Sequence, residues 1–218
     1  MEMAKALVQT AVERYEVREV PVPEPGEDGA ILRVEACGLC GSDVEAFRGV
    51  LNDLSFPIAP GHEAVGVIDR IGTAAGKTWQ LAEGDRVALY SHLPCGRCPG
   101  CHTGQRCLSQ AEGYSRVYGW RNPATPPGLW GGMATHLYLA PEAITIPMDS
   151  AVPVAEAAFF NALANGIDWV QEVGGVCPSD RVAILGPGPR GLACVMAAHQ
   201  AGTSDIAVVG LARDSHRL

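Results

Sequence analysis

The segment LPCGRCPGCHTGQRCLS, residues 93–109, packs Cys95, Cys98, Cys101 and Cys107 into thirteen residues. Four thiols so close in a chain suggest a metal clamp, a disulfide knot or a redox pair, each with a different local fold, and reduced surface thiols are the duller reading. The N-terminal stretch MEMAKALVQTAVERYEV carries charges throughout, and no run reaches the ~18 apolar residues of a spanning helix. The chain therefore reads as cytoplasmic, with no membrane partner. Reducing conditions disfavour structural disulfides and leave clustered thiolates to a metal, with zinc the leading choice. Two overlapping C-x-x-C loops can wrap one ion, and Cys107 can close a tetrahedron. A closed four-thiolate site is structural. Pro94, Gly96, Pro99, Gly100 and Gly104 make the segment a lobe of turns, unlike a single redox C-x-x-C at a helix start.

The formal net charge is −8, without a lysine or arginine cluster, which argues against nucleic acid as a partner. A hydrophobic fraction of 47% over 218 residues suffices for real cores. Two regimes divide the chain. Residues 1–150 hold short β-type runs (AILRVEA, AVGVIDRIG, DRVALY, ATHLYLA, AITIP) separated by Gly and Pro, which predicts a β-rich domain. Residues 151–218 begin with AVPVAEAAFFNALANGIDWVQEV, expected to be one long helix. RVAIL-GPGPRG-LACVMAAHQAG and DIAVVG then read strand, glycine turn, helix, strand, so the fold class is a two-domain α/β protein. The segment Ser109–Trp130 is expected to be a long irregular loop of functional use.

In the glycine turn, Gly186 permits the bend after the strand, Gly188 lets backbone approach a pyrophosphate, and Gly191 lets the helix lie close to the sheet. Pro189 and Arg190 complete the turn, and the helix N-terminus favours the diphosphate of a dinucleotide. At the end of the following strand an acid would bind the ribose 2′-hydroxyl of NAD. Ala212 stands there, and Arg213 beside it could pair with the 2′-phosphate of NADP. NADP is favoured over NAD, with Asp214 the contrary observation.

A third constellation lies upstream, in ACGLCGSDVEAFRG (36–49) and APGHEAVGVIDRIGTAAG (59–76). Cys40, His62 and Glu63 are donor types suited to a zinc with an open position. Together with CGRCPGCHTGQRC, GPGPRG, WGGMATHLYL and ITIP, these motifs resemble the zinc-dependent medium-chain alcohol dehydrogenases, in particular the sorbitol and threonine dehydrogenase branch. The resemblance implies a GroES-like catalytic domain (1–150, with a structural zinc lobe at about 93–109), then the incomplete start of a Rossmann domain (151–218). It implies Cys40 and His62 as catalytic zinc ligands, Glu63 as a carboxylate able to approach the metal, and Ser42 as the proton relay. The expected reaction is hydride transfer between an alcohol or polyol and NAD(P), with the carbonyl compound as product.

Duller readings stand beside these. Ser42 and Glu45 spell a capping box, S-x-x-E. Cys37, Cys177 and Cys194 read as small core residues. Glu45 also stands where many relatives carry a proton-passing histidine. The third ligand position of this branch falls on Asn161, a poor zinc ligand, and Glu156 would face about 140° away from it on a continuous helix. Cys101 and Cys107 stand closer than is usual in the family. The chain ends soon after the second Rossmann strand, which suggests a shortened form of a longer dehydrogenase, with homo-oligomers expected of the full-length protein. The alternatives are a zinc-independent NADPH-dependent reductase on the same scaffold and a non-catalytic nucleotide-binding fragment.

Overall fold

The computed structural model describes residues 1–51, 54–103, 107 and 116–218. Gly104, the end of the cysteine lobe (108–109) and the first part of the expected loop (109–115) lie outside the described residues. The chain divides into two compact units, Met1–Ala158 and Phe159–Leu218.

The first unit is built on strands. β1 (Met3–Ala11) and β2 (Arg14–Pro21) form an antiparallel pair. β3 (Ala30–Cys37), β4 (Ala64–Ile71), β5 (Arg86–Leu89), β6 (His136–Leu139) and β7 (Thr145–Pro147) form an antiparallel sheet in the order β6-β3-β4-β5-β7. Ile31, Leu32, Val65, Ile68, Val87, Leu89, Leu137 and Leu139 are buried, each contributing about 1.5–3 kcal/mol on transfer from water. Simple alternation cannot bury three successive residues on one face, yet Ala30, Ile31 and Leu32 are all buried. A register shift between Ile31 and Leu32 against β4 accompanies that run. β1 is tied to the segment leading into β6 by Leu7 N–H to Met133 O (2.9 Å) and Thr135 N–H to Lys5 O (2.9 Å). Three short helices complete the connections, α1 (Gly41–Phe47), α2 (Thr73–Trp79) and α3 (Pro99–His102), and α4 (Val154–Ala157) packs on β3.

The second unit contains α5 (Phe160–Ile167), which continues as a π-helical segment Asp168–Val173, then β8 (Arg181–Leu185), α6 (Pro189–Gln200) and β9 (Asp205–Val209). β8 and β9 pair in parallel from Arg181↔Asp205 to Leu185↔Val209, with α6 as the crossover. Ala193, Ala197 and Ala198 are buried under α6, and Gly166 lies so close to Ala193 that no larger residue fits. Leu185 and Val209 are exposed at the end of this pair.

Three expectations are corrected. The long helix expected after residue 151 is interrupted at Ala158 and Phe159, because α4 serves the first unit while α5 packs on α6 in the second. The 140° offset between Glu156 and Asn161 presumed a continuous helix and does not apply. β1, β2 and α2 had no sequence expectation. Cys177 is exposed rather than a core residue, held in a turn by its own N–H to Asp180 Oδ2 (2.8 Å). Cys37 packs against the main core and Cys194 against that of the second unit.

Candidate functional site

Cys40, His62 and Glu63 come from two segments, and their ligand atoms all lie within 4.8 Å of one another. The turn before β4 delivers the pair His62–Glu63. It requires Gly61, whose φ of +97° is left-handed and whose absent Cβ leaves room for the Met133 backbone. Trp120 stacks on the His62 ring at 5.3 Å, covering one face. Gly38 donates its N–H to Glu63 O at 2.9 Å, and a side chain at Gly38 would collide with the Glu63 carboxylate. Ser42 Oγ stands 3.5 Å from His62 Nε2.

The helix that follows Cys40 corrects the expected capping box. Cys40 itself is the N-cap of α1, and Asp43, not Glu45, is the acid at the third helical position. Asp43 Oδ2 accepts the Cys40 N–H at 2.8 Å, whereas Glu45 is exposed. The other oxygen, Asp43 Oδ1, is 3.4 Å from His62 Nδ1, and neither atom has a hydrogen-bond partner among the described residues. Asp43 is therefore a functional candidate that sequence reasoning missed. Its signal was the spacing C-x-x-D, read two residues too late as S-x-x-E.

Electrostatics bind these residues into one unit. Burial disfavours the His62 imidazolium, but Asp43 and Cys40 outweigh it and raise its pKa to about 10. Hydrogen bonding to His62 brings the Cys40 thiol down to about 7 against burial, with Ser42 assisting. A thiolate facing an imidazolium is the proton-loaded form of a site whose donors also suit a cation. The residues fit zinc: sulfur, imidazole and carboxylate converge, and a buried second carboxylate stands behind the ring nitrogen turned away from Ser42. By contrast, Cys37 is pushed up to about 12, chiefly by burial, which leaves it inert.

The four-cysteine lobe gathers Cys95, Cys98, Cys101 and Cys107 within 4.8 Å, all unbridged. Sulfur separations of 3.9 Å (Cys95–Cys101 and Cys98–Cys107) match the edge of a tetrahedron with bonds of about 2.3 Å, which is ~3.8 Å. A disulfide would need about 2.05 Å. Cys98 caps α3 and accepts the Cys101 N–H at 3.4 Å, so the backbone already aims two sulfurs inward. Partial burial and the sulfurs of Cys98, Cys107 and Cys95 push the Cys101 thiol up to about 11, a crowding that a dication relieves. Arg116 fastens the lobe's entry by donating to Leu93 O (3.1 Å) and Pro94 O (2.8 Å).

In the second unit, Gly186 has φ +98°, Gly188 is the N-cap of α6 and Pro189 its first residue. Nothing lies within 4 Å of the Cβ positions of Gly186 or Gly188, while a Cβ on Gly191 would strike Gly186 O. Open space over Gly188 beside a helix N-terminus fits the diphosphate of a dinucleotide. Arg190 lies over the Trp169 ring, 5.6 Å from its centroid. Arg213 is exposed in the 3-10 turn Ala212–Arg217, where Asp214 Oδ2 accepts the Leu211 N–H at 3.1 Å. Asp214 is thus engaged in its own turn. Asn161 is on α5 in the second unit, its carbonyl accepting from Asn165 Nδ2 (2.7 Å), and Glu156 is exposed in the first.

A β-rich unit with a mixed-donor cluster and a thiolate lobe precedes a unit with a glycine turn between parallel strands. Residues 26–150 match the family model described as the alcohol dehydrogenase GroES-like domain. The chain belongs to this family, the zinc-type medium-chain alcohol dehydrogenases. It is 41% identical to a protein named a probable alcohol dehydrogenase in Mycobacterium tuberculosis, over 99% of this chain and 59% of the relative. It is 30% identical to an erythritol/L-threitol dehydrogenase of Mycolicibacterium smegmatis, over 100% of this chain and 60% of the relative. Among solved structures, a zinc-binding dehydrogenase from Sinorhizobium meliloti bound to NADP superposes with a TM-score of 0.82 at 29% identity, covering 99% of this chain and 59% of that one. The chain thus spans about 59% of the length of such relatives.

Proposed function

We propose that this chain carries the metal-binding and diphosphate-binding parts of an oxidoreductase that moves a hydride between a secondary alcohol or polyol and NAD(P). The carrying observation is the convergence of Cys40, His62 and Glu63 within 4.8 Å, with Asp43 behind the imidazole. Cys40 and His62 would hold a zinc ion, with Glu63 completing the site. Bound there, zinc would supply Lewis acidity that lowers the pKa of an alcohol, and the nicotinamide would take the hydride. Asp43 orients His62 and fixes which ring nitrogen bears the proton. Ser42, 3.5 Å from His62 Nε2, would receive the alcohol's proton. Trp120 excludes water from one face of the imidazole. Gly186, Gly188, Pro189, Arg190 and Gly191 would receive the diphosphate. With Asp214 tied to its own turn, Arg213 favours NADP over NAD. Cys95, Cys98, Cys101 and Cys107 would hold a second, structural zinc.

No helix among the described residues is long and apolar enough to cross a membrane, and all eight cysteines are unbridged, which supports a cytoplasmic location. The reading is tested by metal analysis and NADPH fluorescence on the purified chain. Two zinc ions held by the cysteine-containing clusters and an enhanced NADPH signal are expected. One zinc with NADPH binding would point instead to the zinc-independent reductase suggested by Asn161, and no nucleotide binding would overturn both enzyme readings.

A further inference from the structure

A third group of donors combines the residue just before β1 with one residue each of β4 and β6, the strands on either side of β3. The ligand atoms of Glu2, Asp69 and His136 all stand within 4.8 Å of one another. His136 is only 8% exposed. Its Nδ1 is 3.1 Å from Thr135 Oγ1, which already accepts the Lys5 N–H at 3.1 Å. In the tautomer whose Nδ1–H donates to Thr135, the lone pair of Nε2 faces the two carboxylates. Nε2 is 3.6 Å from Glu2 Oε1, too far for a hydrogen bond, and makes no other polar contact among the described residues.

Arg70 holds one oxygen of each acid from the side: Glu2 Oε2 at 3.0 Å, Asp69 Oδ2 at 3.3 Å and Glu24 Oε1 at 3.3 Å. One guanidinium faces three carboxylates, so negative charge remains, while each of Glu2 and Asp69 keeps a second oxygen. A lone pair aimed at carboxylate oxygens is repulsive unless a cation intervenes.

We propose that Glu2, Asp69 and His136 form a divalent transition-metal site of one imidazole and two carboxylates, with zinc as its representative ion. Thr135 and Arg70 hold the donors in place from outside, as partners of metal ligands do. An ion there staples the start of β1 to β4 and β6, joining the two-stranded pair to the five-stranded sheet.

The test is equilibrium dialysis of the full chain against zinc, with any affinity tag at the C-terminal end and both cysteine-containing clusters already loaded. One further zinc is expected in the parent protein and in Cys40→Ser, at least ~tenfold weaker binding of it in Glu2→Gln, and its loss in His136→Gln. Glu2 is half-exposed, so that variant keeps the fold even if the His136 change does not. In parallel, nitrogen NMR of the His136 ring should show Nε2 shifting on zinc addition while Nδ1 stays protonated. Equal zinc uptake by the parent and Glu2→Gln, or a doubly protonated ring indifferent to zinc, would overturn the proposal.

Discussion

The cysteine lobe and the Cys40–His62–Glu63 cluster are both donor sets of the first unit, yet they are built in opposite ways. The lobe draws four like ligands from thirteen residues, with sulfurs 3.9 Å apart. The other cluster draws three unlike ligands from a helix cap and a strand entry, and it depends on Gly61, Trp120 and Asp43 to hold them. A uniform shell fills every position around an ion and leaves chemistry no opening. A mixed shell with a hydroxyl beside it leaves room for a reacting group. The difference separates holding a fold from performing a reaction.

Zinc removal should expose that contrast most strongly. Cys98→Ser is expected to lose the lobe's ion and unfold the lobe, since structural zinc contributes roughly 10–16 kcal/mol in small zinc domains. Cys40→Ser should lose one zinc while its thermal midpoint stays within a few degrees of the parent. Metal analysis alongside thermal unfolding checks both, and equal destabilisation by the two changes would erase the distinction. Next in size is Asp43→Asn, expected to weaken zinc at the mixed site by about 10–100-fold without touching the lobe, as read by chelator competition.

Acidity should act on the mixed site in a defined direction. With His62 at about 10 and Cys40 at about 7, zinc must displace about one proton near pH 8 and about two near pH 6. Affinity therefore falls as pH falls, and more steeply below 7. Calorimetry in buffers of different ionisation enthalpy, with the lobe preloaded, counts the protons; a constant count across that range would contradict the pairing. The smallest effect concerns the cap. Because Asp43 occupies the third helical position, Glu45→Ala should change stability by no more than about 0.5 kcal/mol in chemical denaturation, whereas loss of a true capping partner costs about 1.

Legibility in the sequence followed the distance over which each feature is built. β3 to β7 could be read from short apolar runs between Gly and Pro, and GPGPRG from its flanking strand and helix, because those signals are local. β2 escaped because most of it is exposed, leaving no clear buried face to read. The interruption at Ala158–Phe159 escaped because an Ala-rich stretch favours helix throughout, and only the competing claims of two cores broke it.

By itself the sequence determined the thiolate lobe, the glycine turn and the order of the two units, since contacts between near neighbours in the chain are fixed by spacing and backbone preference. Tertiary structure decided that Asp43 backs His62 and that Glu2, Asp69 and His136 meet. Those pairings close long loops, and only the packing of strands from distant segments places one side chain within reach of another.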